Sequence, residues 1–173
     1  MKAAAANGPK QKPVNVLFYG IGGQGVLTAA EICALAAMLD GLHVKKSEVK
    51  GMAQRGGSVE SYVRFGTRVH SPLPLGGDVD AIVCLHAEEY GRLKDQLRPD
   101  GVDLFPYLEN AHAAVGDRKI FLNAYMLGVL SSFLRISEKS WREAMDRKFR
   151  RDKQENRAFF TMGRKGSPEE AKK

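Results

Sequence analysis

Apolar and polar positions fall into blocks along the chain, and the first block is the clearest. Residues 14–19 are mainly β-branched and aromatic, which is typical of a strand buried on both faces of a parallel sheet. Val26–Leu39 is apolar on nearly every side, so we expect a helix covered by the sheet and, opposite it, by another helix or a second subunit. Strand, glycine-rich turn and helix together predict the opening βα unit of an α/β fold.

The same succession of strand and helix patterns continues to the carboxyl end. Further strands are predicted at residues 43–46, 59–65, 80–86 and 102–105. Further helices are predicted at residues 87–97, 108–115, 139–150 and 153–162, with an apolar helical segment within 119–134 and Ser137 as an N-cap. The pattern predicts an α/β fold with a single doubly wound, mostly parallel sheet (Rossmann-like), helices on both faces and a helical C-terminal extension.

Chain length limits the number of domains. The 173 residues suffice for one well-cored α/β domain, which we place at residues 14–163. Residues 1–13 are interpreted as a flexible N-terminal arm and residues 164–173 as a flexible C-terminal tail. The arm lacks a strongly apolar core with a cleavage site, and Val26–Leu39 is shorter than the roughly 18 residues of a membrane span. We therefore expect a cytoplasmic protein without membrane insertion.

The net charge of the chain favours some classes of binding partner but does not identify one. The 27 Lys and Arg against 20 Asp and Glu give a formal net charge of +7, which favours an acidic partner, a phosphorylated ligand or nucleic acid. A nucleic-acid-binding module would present a contiguous basic face with interleaved aromatic residues, and the basic residues here are not interleaved in that way. A solvated basic face is the more economical interpretation, and no nucleic acid is predicted as a partner.

Cysteines and histidines do not predict a metal site. Cys33 and Cys84 are the only two cysteines, and both are predicted to be buried thiols in a reducing compartment. Two isolated cysteines cannot by themselves ligate a four-cysteine iron–sulfur cluster or a structural zinc ion. The four histidines lack metal-ligand spacing, and His86, at the end of a predicted strand, is the one of interest. No metal ligands and no catalytic residues are assigned.

The glycine-rich turn offers the first candidate site. Gly20, Gly22 and Gly25 match the pattern G-x-G-x-x-G, in which glycine permits positive φ and close approach of the backbone. A helix that opens near Gln24 would direct free N–H groups at a phosphate, pyrophosphate or carboxylate. A turn that only packs the helix tightly on the sheet explains the same glycines, so the pattern alone leaves both interpretations open.

A dinucleotide-binding reductase is one alternative function. Nicotinamide-binding domains usually carry an acidic residue at the end of the second strand, where it holds the ribose hydroxyls. The corresponding positions here are Lys45 and Lys46, and the nearest acid is Glu48. The glycine turn favours a free-standing reductase, whereas the missing acid and the missing catalytic set oppose it.

A second glycine-containing segment follows the second predicted strand. Residues 47–58 are predicted to form a polar loop that includes Gln54, Arg55, Gly56 and Gly57. Backbone donors beside a guanidinium suit a carboxylate or phosphate, although an ordinary crossover loop has a similar composition. Because loops at the carboxyl ends of parallel strands gather at one rim of a sheet, we expect this loop beside the first glycine turn.

Four segments of the chain resemble a known family. GIGGQGVLTAAEICALAA, KKSEVKGMAQRGGSVESYVRFG, DAIVCL and LNAYMLGVLSSFLRISEKSW are similar, in this order, to the gamma subunit (or gamma domain) of 2-oxoacid:ferredoxin oxidoreductases. Similarity is greatest to the small subunit of the indolepyruvate enzyme and to aryl 2-oxoacid oxidoreductases. The resemblance covers residues 14–163, and the ordered pair GIGGQG and GMAQRGGSV is its most specific part. Residues 97–122 look shortened relative to the strand-rich region usual for the family.

The resemblance implies a subunit of a larger enzyme that oxidatively decarboxylates a 2-oxoacid to its acyl-CoA and passes electrons to ferredoxin or another acceptor. It implies alpha and beta subunits that bind thiamine diphosphate and Mg²⁺, a ferredoxin-like subunit with [4Fe-4S] clusters, and coenzyme A as co-substrate. The chain would be part of an obligate hetero-oligomer and inactive alone. The expected 2-oxoacid is aryl, such as indolepyruvate, phenylpyruvate or phenylglyoxylate.

The resemblance also implies which residues form the coenzyme A or substrate side of the site, or contact a partner's cofactor. They lie in the two glycine-containing segments: Gly22, Gly23, Gln24, Gly25, Met52, Gln54, Arg55, Gly56 and Gly57.

Overall fold

The computed structural model describes residues 12–50 and 56–167. The strands are β1 (Val14–Ile21), β2 (His43–Lys50), β3 (Ser58–Gly66), β4 (Val79–Cys84) and β5 (Leu97–Asp103). The α-helices are α1 (Val26–Leu39), α2 (Tyr90–Leu93), α3 (Leu108–Val115), α4 (Leu122–Phe133), α5 (Glu138–Lys148) and α6 (Lys153–Lys165). Most of the predicted arm and tail lie outside the described residues.

The five strands form one mixed sheet in the order β2-β3-β1-β4-β5. β1, β4 and β5 pair in parallel, whereas β3 is antiparallel to both of its neighbours, β1 and β2. Because β2 is antiparallel to β3, it shares the direction of the other strands, and only β3 runs the opposite way. The α/β class and the mostly parallel sheet are thus confirmed. β3 separates β1 from β2, which are neighbours in a dinucleotide-binding fold.

Alternating side chains of β1 divide the core between the two faces of the sheet. Val16 and Phe18 pack into a large cluster that includes residues of α1, α3, α4, α5 and α6. Leu17 and Tyr19 point to the opposite face and pack against a smaller cluster that includes residues of α2. Helices therefore cover both faces, as predicted, but of the six α-helices in the described ranges five pack on one face and only α2 packs on the other.

The α1 helix has the predicted bounds and is covered on two sides. Its residues pack against β1, β2 and β3 on one side and against α5 on the other. The alanines at the contacts, including Ala30 and Ala36, are fully buried and permit this close approach. Lys148 Nζ of α5 also pairs with Glu31 Oε2 of α1 at 2.8 Å. The side of α1 that faces away from the sheet is thus covered by a helix of the same chain, α5.

The C-terminal helices dock on the core through α4. A Cβ atom at Gly128 of α4 would overlap the carbonyl oxygen of Phe160, and one at Gly163 of α6 would overlap the carbonyl oxygen of Tyr125. Glycine at both positions lets the two helix backbones touch. Because this contact continues past residue 162, α6 extends to Lys165, beyond its predicted end.

Two predicted element boundaries are wrong for related reasons. β2 continues to Lys50, where it still pairs with Val59, so residues 47–50 belong to a strand and not to the predicted loop. The predicted helix at 87–97 is reduced to the short α2 between 3₁₀ turns, and Leu97 already begins β5. Both β2 and β5 are edge strands, where polar residues and an irregular register around Pro99 are tolerated.

Candidate functional site

The first glycine turn connects β1 to α1 at the carboxyl edge of the sheet. Gly23 and Gly25 have φ angles of 94° and 80°, which are readily accessible only to glycine. Gly25 is the N-cap residue of α1 and provides no side-chain hydrogen bond to the helix. The turn therefore leaves the first backbone donors of α1 without a side-chain cap, as an anion-binding turn requires.

Gln24 ties this turn to the end of β4. Its Nε2 donates to the carbonyl oxygen of Leu85 at 3.0 Å, and its Oε1 accepts from the backbone N–H of Ile21 at 3.0 Å. These bonds use both ends of the amide within the protein. Gln24 lies in the turn that precedes α1, which begins at Val26. The geometry gives Gln24 a structural role that fixes the turn on the sheet.

The second glycine segment lies against the first. The backbone N–H of Gly22 donates to the carbonyl oxygen of Gly57 at 3.0 Å. Gly56 has a φ angle of 68°, and a Cβ atom at Gly22 would lie 3.6 Å from the Gly56 nitrogen. We call residues 22–25 together with 56–57 the glycine rim. Met52, Gln54 and Arg55 lie outside the described residues, and a ligand-binding role for any residue of the rim stays a prediction.

Two further side chains lie at or near the rim and carry unsatisfied polar atoms. Asn123 at the start of α4 is 4% exposed, and its Nδ2 lies 2.5 Å from the place that a Cβ atom of Gly25 would occupy. Asn123 Oδ1 and His86 Nδ1 are buried and have no hydrogen-bond partner among the described residues. Such atoms are rare in folded proteins and often mark a binding site or a bound water.

Sequence reasoning selected His86 by its position after a strand but gave no role to Asn123. The signal for Asn123 was a polar residue inside the otherwise apolar segment 119–134. Its neighbour in space, Gly25, belongs to a different element, and that contact is not readable from local pattern.

A network of charged residues closes one side of the rim. Ser58 Oγ donates to Glu89 Oε1 at 2.9 Å, and Arg92 bridges Glu89 at 2.6 Å and Glu60 at 2.8 Å. Burial raises the pKa of Glu89, but hydrogen bonds from Arg92 and Ser58 outweigh this effect, so that pKa lies below its usual value. Glu89 is therefore an ionised, paired carboxylate and a poor candidate for a general acid.

The two thiols lie on opposite faces of the sheet. Cys33 belongs to the large core cluster, and Cys84 belongs to the smaller one. Burial raises the pKa of Cys84 to about 11 and also raises that of Cys33. Within residues 12–50 and 56–167, no group of three or more His, Cys, Asp and Glu side chains is placed to hold a metal ion. These cysteines cannot share one metal or cluster.

The sequence profile described as "Pyruvate ferredoxin/flavodoxin oxidoreductase" matches residues 15–166. The chain belongs to the pyruvate ferredoxin/flavodoxin oxidoreductase family. This family assignment confirms the resemblance seen in the glycine-containing segments.

Relatives within the pyruvate ferredoxin/flavodoxin oxidoreductase family include subunits of several enzymes. The indolepyruvate oxidoreductase subunit IorB of Thermococcus kodakarensis is 41% identical over 91 residues, which are 53% of this chain and 45% of the relative. IorB of Archaeoglobus fulgidus is 49% identical over 76 residues, 44% of this chain and 37% of the relative. The matched regions thus span less than half the length of these relatives. The 2-oxoglutarate synthase subunit KorC of A. fulgidus is 24% identical over 89% of this chain and 90% of its own length.

Solved structures of the family share the fold. The gamma subunit of a keto/oxoacid ferredoxin oxidoreductase from Geobacter sulfurreducens has a TM-score of 0.63 and 26% identity, covering 87% of this chain and 95% of that one. The 2-oxoglutarate:ferredoxin oxidoreductase of Magnetococcus marinus, solved with 2-oxoglutarate, coenzyme A and succinyl-CoA, has a TM-score of 0.75 at 20% identity. That alignment covers 90% of this chain and 31% of the other, and it shows the fold alone.

In the described ranges, no helix combines the length and apolar character that crossing a bilayer demands.

Proposed function

We propose that this chain is a gamma-type subunit of a multisubunit, thiamine diphosphate-dependent 2-oxoacid:ferredoxin oxidoreductase. The observation that carries the proposal is the hydrogen bond between Gly22 and Gly57. It joins the two segments whose ordered pairing is the most specific sequence feature of the chain. Family membership and the names of the relatives support the same assignment.

The glycine rim is the part of this chain that would face the reaction. Its positive-φ turns and the uncapped start of α1 fit a polar or anionic ligand. Asn123 Oδ1 and His86 Nδ1, which have no partner among residues 12–50 and 56–167, fit such a ligand too. The phosphates of coenzyme A are such groups, and coenzyme A is bound in the related M. marinus enzyme. We propose that the rim binds coenzyme A or the carboxylate side of the substrate, with Arg55 as the cationic contact.

The donors of this chain do not fit an iron–sulfur cluster. Four thiolates are needed, whereas Cys33 and Cys84 are two and lie on opposite faces of the sheet. Thiamine diphosphate, bound with Mg²⁺ on alpha and beta subunits, would supply the decarboxylation chemistry. A ferredoxin-like partner would carry the [4Fe-4S] clusters, and this chain would complete the site and the hetero-oligomer.

A free-standing dinucleotide-binding reductase is less well supported. In that fold the second strand lies directly beside the first, so that its terminal acid reaches the ribose. Here β3 lies between β1 and β2, and β3's Glu60 is paired with Arg92. The glycine turn is therefore present without the neighbouring strand that a dinucleotide would use.

An aryl 2-oxoacid, such as indolepyruvate or phenylglyoxylate, is the substrate we favour. The relatives with the highest identities given above are indolepyruvate oxidoreductase subunits, whereas the 2-oxoglutarate synthase subunit is only 24% identical. Those indolepyruvate relatives match over about half of the chain, so the substrate is a separate claim from the subunit assignment.

Purification of the native assembly tests the subunit assignment. We expect the chain to co-purify with larger subunits, thiamine diphosphate and a brown iron–sulfur chromophore, and to be colourless and inactive alone. A viologen-linked assay with coenzyme A should give higher kcat/KM for indolepyruvate or phenylglyoxylate than for pyruvate or 2-oxoglutarate. A colourless monomer that reduces a nicotinamide cofactor would refute the subunit assignment, and a preference for pyruvate would refute only the aryl substrate.

A further inference from the structure

A concave site lies at the edge of the sheet opposite the glycine rim. β2 begins there and β3 ends there, and the segment after β3 folds back over the start of β2. The resulting depression has a volume of about 440 Å³ and is lined by His43, Lys45, Thr67, Arg68, Val69 and His70. We call it the basic depression. Its volume is within the range of about 300–1,000 Å³ that is usual for small-molecule sites.

The imidazole of His43 is held in one orientation at this site. The backbone N–H of Val69 donates to His43 Nδ1 at 3.0 Å, and Val69 itself is buried in the core. A neutral imidazole that accepts at Nδ1 carries its proton on Nε2. His43 is thus fixed as a hydrogen-bond donor through Nε2.

Within the described residues, no carboxylate pairs with the cations of the basic depression. Its lining contains no carboxylate, and Lys45 and Arg68 have no ion pair within the described part of the chain. Arginines elsewhere, such as Arg92 and Arg98, each bridge two carboxylates. The contrast indicates that positive charge is kept available at this edge.

Strand pairing adds to this uncompensated charge. Lys45 of β2 lies directly opposite Arg64 of β3 in the antiparallel register. Arg64 donates to Asn15 Oδ1 at 2.7 Å and to backbone carbonyl groups, all of which are uncharged acceptors. Like charges at directly opposed positions destabilise a sheet, and a bound anion would relieve this repulsion.

We propose that the basic depression binds the phosphate or diphosphate group of a small molecule. Phosphate oxygens accept several hydrogen bonds at once, which suits the forked donor set of Arg68, the point charge of Lys45 and the fixed Nε2–H of His43. The site is separate from the glycine rim because the two lie at opposite ends of the strands. It is therefore independent of the enzymatic role proposed above.

Isothermal titration calorimetry of the 173-residue chain with inorganic pyrophosphate, at constant ionic strength, tests this site. We expect saturable one-to-one binding, which Arg68→Ala and Lys45→Ala each weaken about tenfold or more. Arg135→Ala is the matched control, because Arg135 is exposed and lies outside the depression. It should bind pyrophosphate with wild-type affinity.

Three results would overturn the proposal. The first is that the wild-type chain does not bind pyrophosphate. The second is that all three variants bind pyrophosphate with the affinity of the wild-type chain, which would indicate diffuse charge attraction. The third result is that a 20-base-pair DNA duplex binds more tightly than pyrophosphate and loses affinity with the same two substitutions, which would assign the surface to nucleic acid. Circular dichroism melts of each variant are the control for the fold, and we expect melting temperatures equal to that of the wild-type chain.

Discussion

Gly22 and Gly57 are joined backbone to backbone, with the Gly22 N–H donating to the Gly57 carbonyl at 3.0 Å. This bond brings the turn after β1 against the start of β3, and Gln24 fixes the same turn to the end of β4. The glycine rim is therefore assembled by main-chain atoms and one amide side chain. Substitutions that alter the backbone here should affect stability and function together, whereas a substitution that removes only a ligand contact should separate them.

Gly25→Ala should destabilise the fold more than Gly41→Ala. Both glycines have φ angles near 80°, so alanine is strained by about 1–2 kcal/mol at either position. At Gly25 the new Cβ would also meet Asn123 Nδ2 at 2.5 Å, whereas at Gly41 nothing lies within 4 Å. We expect Gly25→Ala to lower the free energy of unfolding by about 1–3 kcal/mol more than Gly41→Ala in urea titrations. Equal losses would show that the Asn123 contact has no energetic weight.

Gly128→Ala should disrupt the contact between α4 and α6. Its Cβ would overlap the carbonyl oxygen of Phe160, which is backbone and cannot rotate away. We expect a loss of about 1–3 kcal/mol or more in the free energy of unfolding, measured by chemical denaturation. Gly91→Ala is the control, because Gly91 lies in α2 with open space around it. Alanine at that position should raise the free energy of unfolding by about 0.5–1 kcal/mol. A Gly128→Ala protein as stable as wild type would contradict the packing described.

Asp40 should make stability depend on pH in the acid range. The Asp40 carboxylate accepts from Ser137 Oγ at 2.6 Å and Ser140 Oγ at 2.8 Å. The hydrogen bond from Ser137 is the main cause that lowers the pKa of Asp40, burial opposes it, and Ser140 adds to the lowering. A lowered folded-state pKa means that this stabilisation is present above the unfolded-state pKa, about 3.9, and is lost as pH falls through the folded-state pKa.

The corresponding variant is Asp40→Asn. Because Asp40 is exposed, screening limits its effect, and we expect a loss of about 0.5–1 kcal/mol at pH 7. The difference from wild type should shrink as pH falls towards 2 in denaturation measured by circular dichroism. Asp117→Asn, at an exposed position without an ion pair in the described ranges, should show no such trend. A difference that is constant with pH would assign the effect to something other than the carboxylate charge.

Asn123→Leu should separate stability from function. The Oδ1 atom of Asn123 is buried and has no partner in the described part of the chain, so an apolar side chain of similar size should leave stability unchanged or raise it. If Asn123 contacts coenzyme A or substrate, the reconstituted complex should show a higher KM with a normal melting temperature. A lower melting temperature with unchanged KM would instead indicate a structural role.

The pattern of apolar and polar residues predicted those features that depend only on neighbouring residues in the sequence. The bounds of α1 and α3 are as predicted, and Ser137 caps α5 by accepting from the Ser140 N–H at 3.3 Å. The rule that loops at the carboxyl ends of parallel strands gather at one rim also placed the loop of Gly57 beside Gly22, as their hydrogen bond confirms. The strand order, the full length of β2 and the start of β5 at Leu97 were not predicted, because they depend on pairing between distant segments. The contact between Gly25 and Asn123 was missed for the same reason.

Arg55 provides the most direct test of the central claim that the glycine rim binds an anionic group for a 2-oxoacid oxidoreductase. The residue lies outside the described part of the chain and directly precedes Gly56 of the rim in the sequence. If it contacts a phosphate or carboxylate, Arg55→Ala should cost about 1.5–3 kcal/mol, or about 10- to 150-fold in affinity. Arg55→Lys should restore only part of this loss, because an ammonium group lacks the planar fork of guanidinium.

The measurement is the coenzyme A dependence of turnover in the reconstituted complex, together with subunit retention on gel filtration, for wild type, Arg55→Ala and Arg55→Lys. We expect the KM for coenzyme A to rise at least tenfold in Arg55→Ala and less in Arg55→Lys, with the complex intact. If KM, kcat and assembly of both variants equal those of wild type, Arg55 is a solvated surface residue and the claim that the rim binds coenzyme A through it is contradicted.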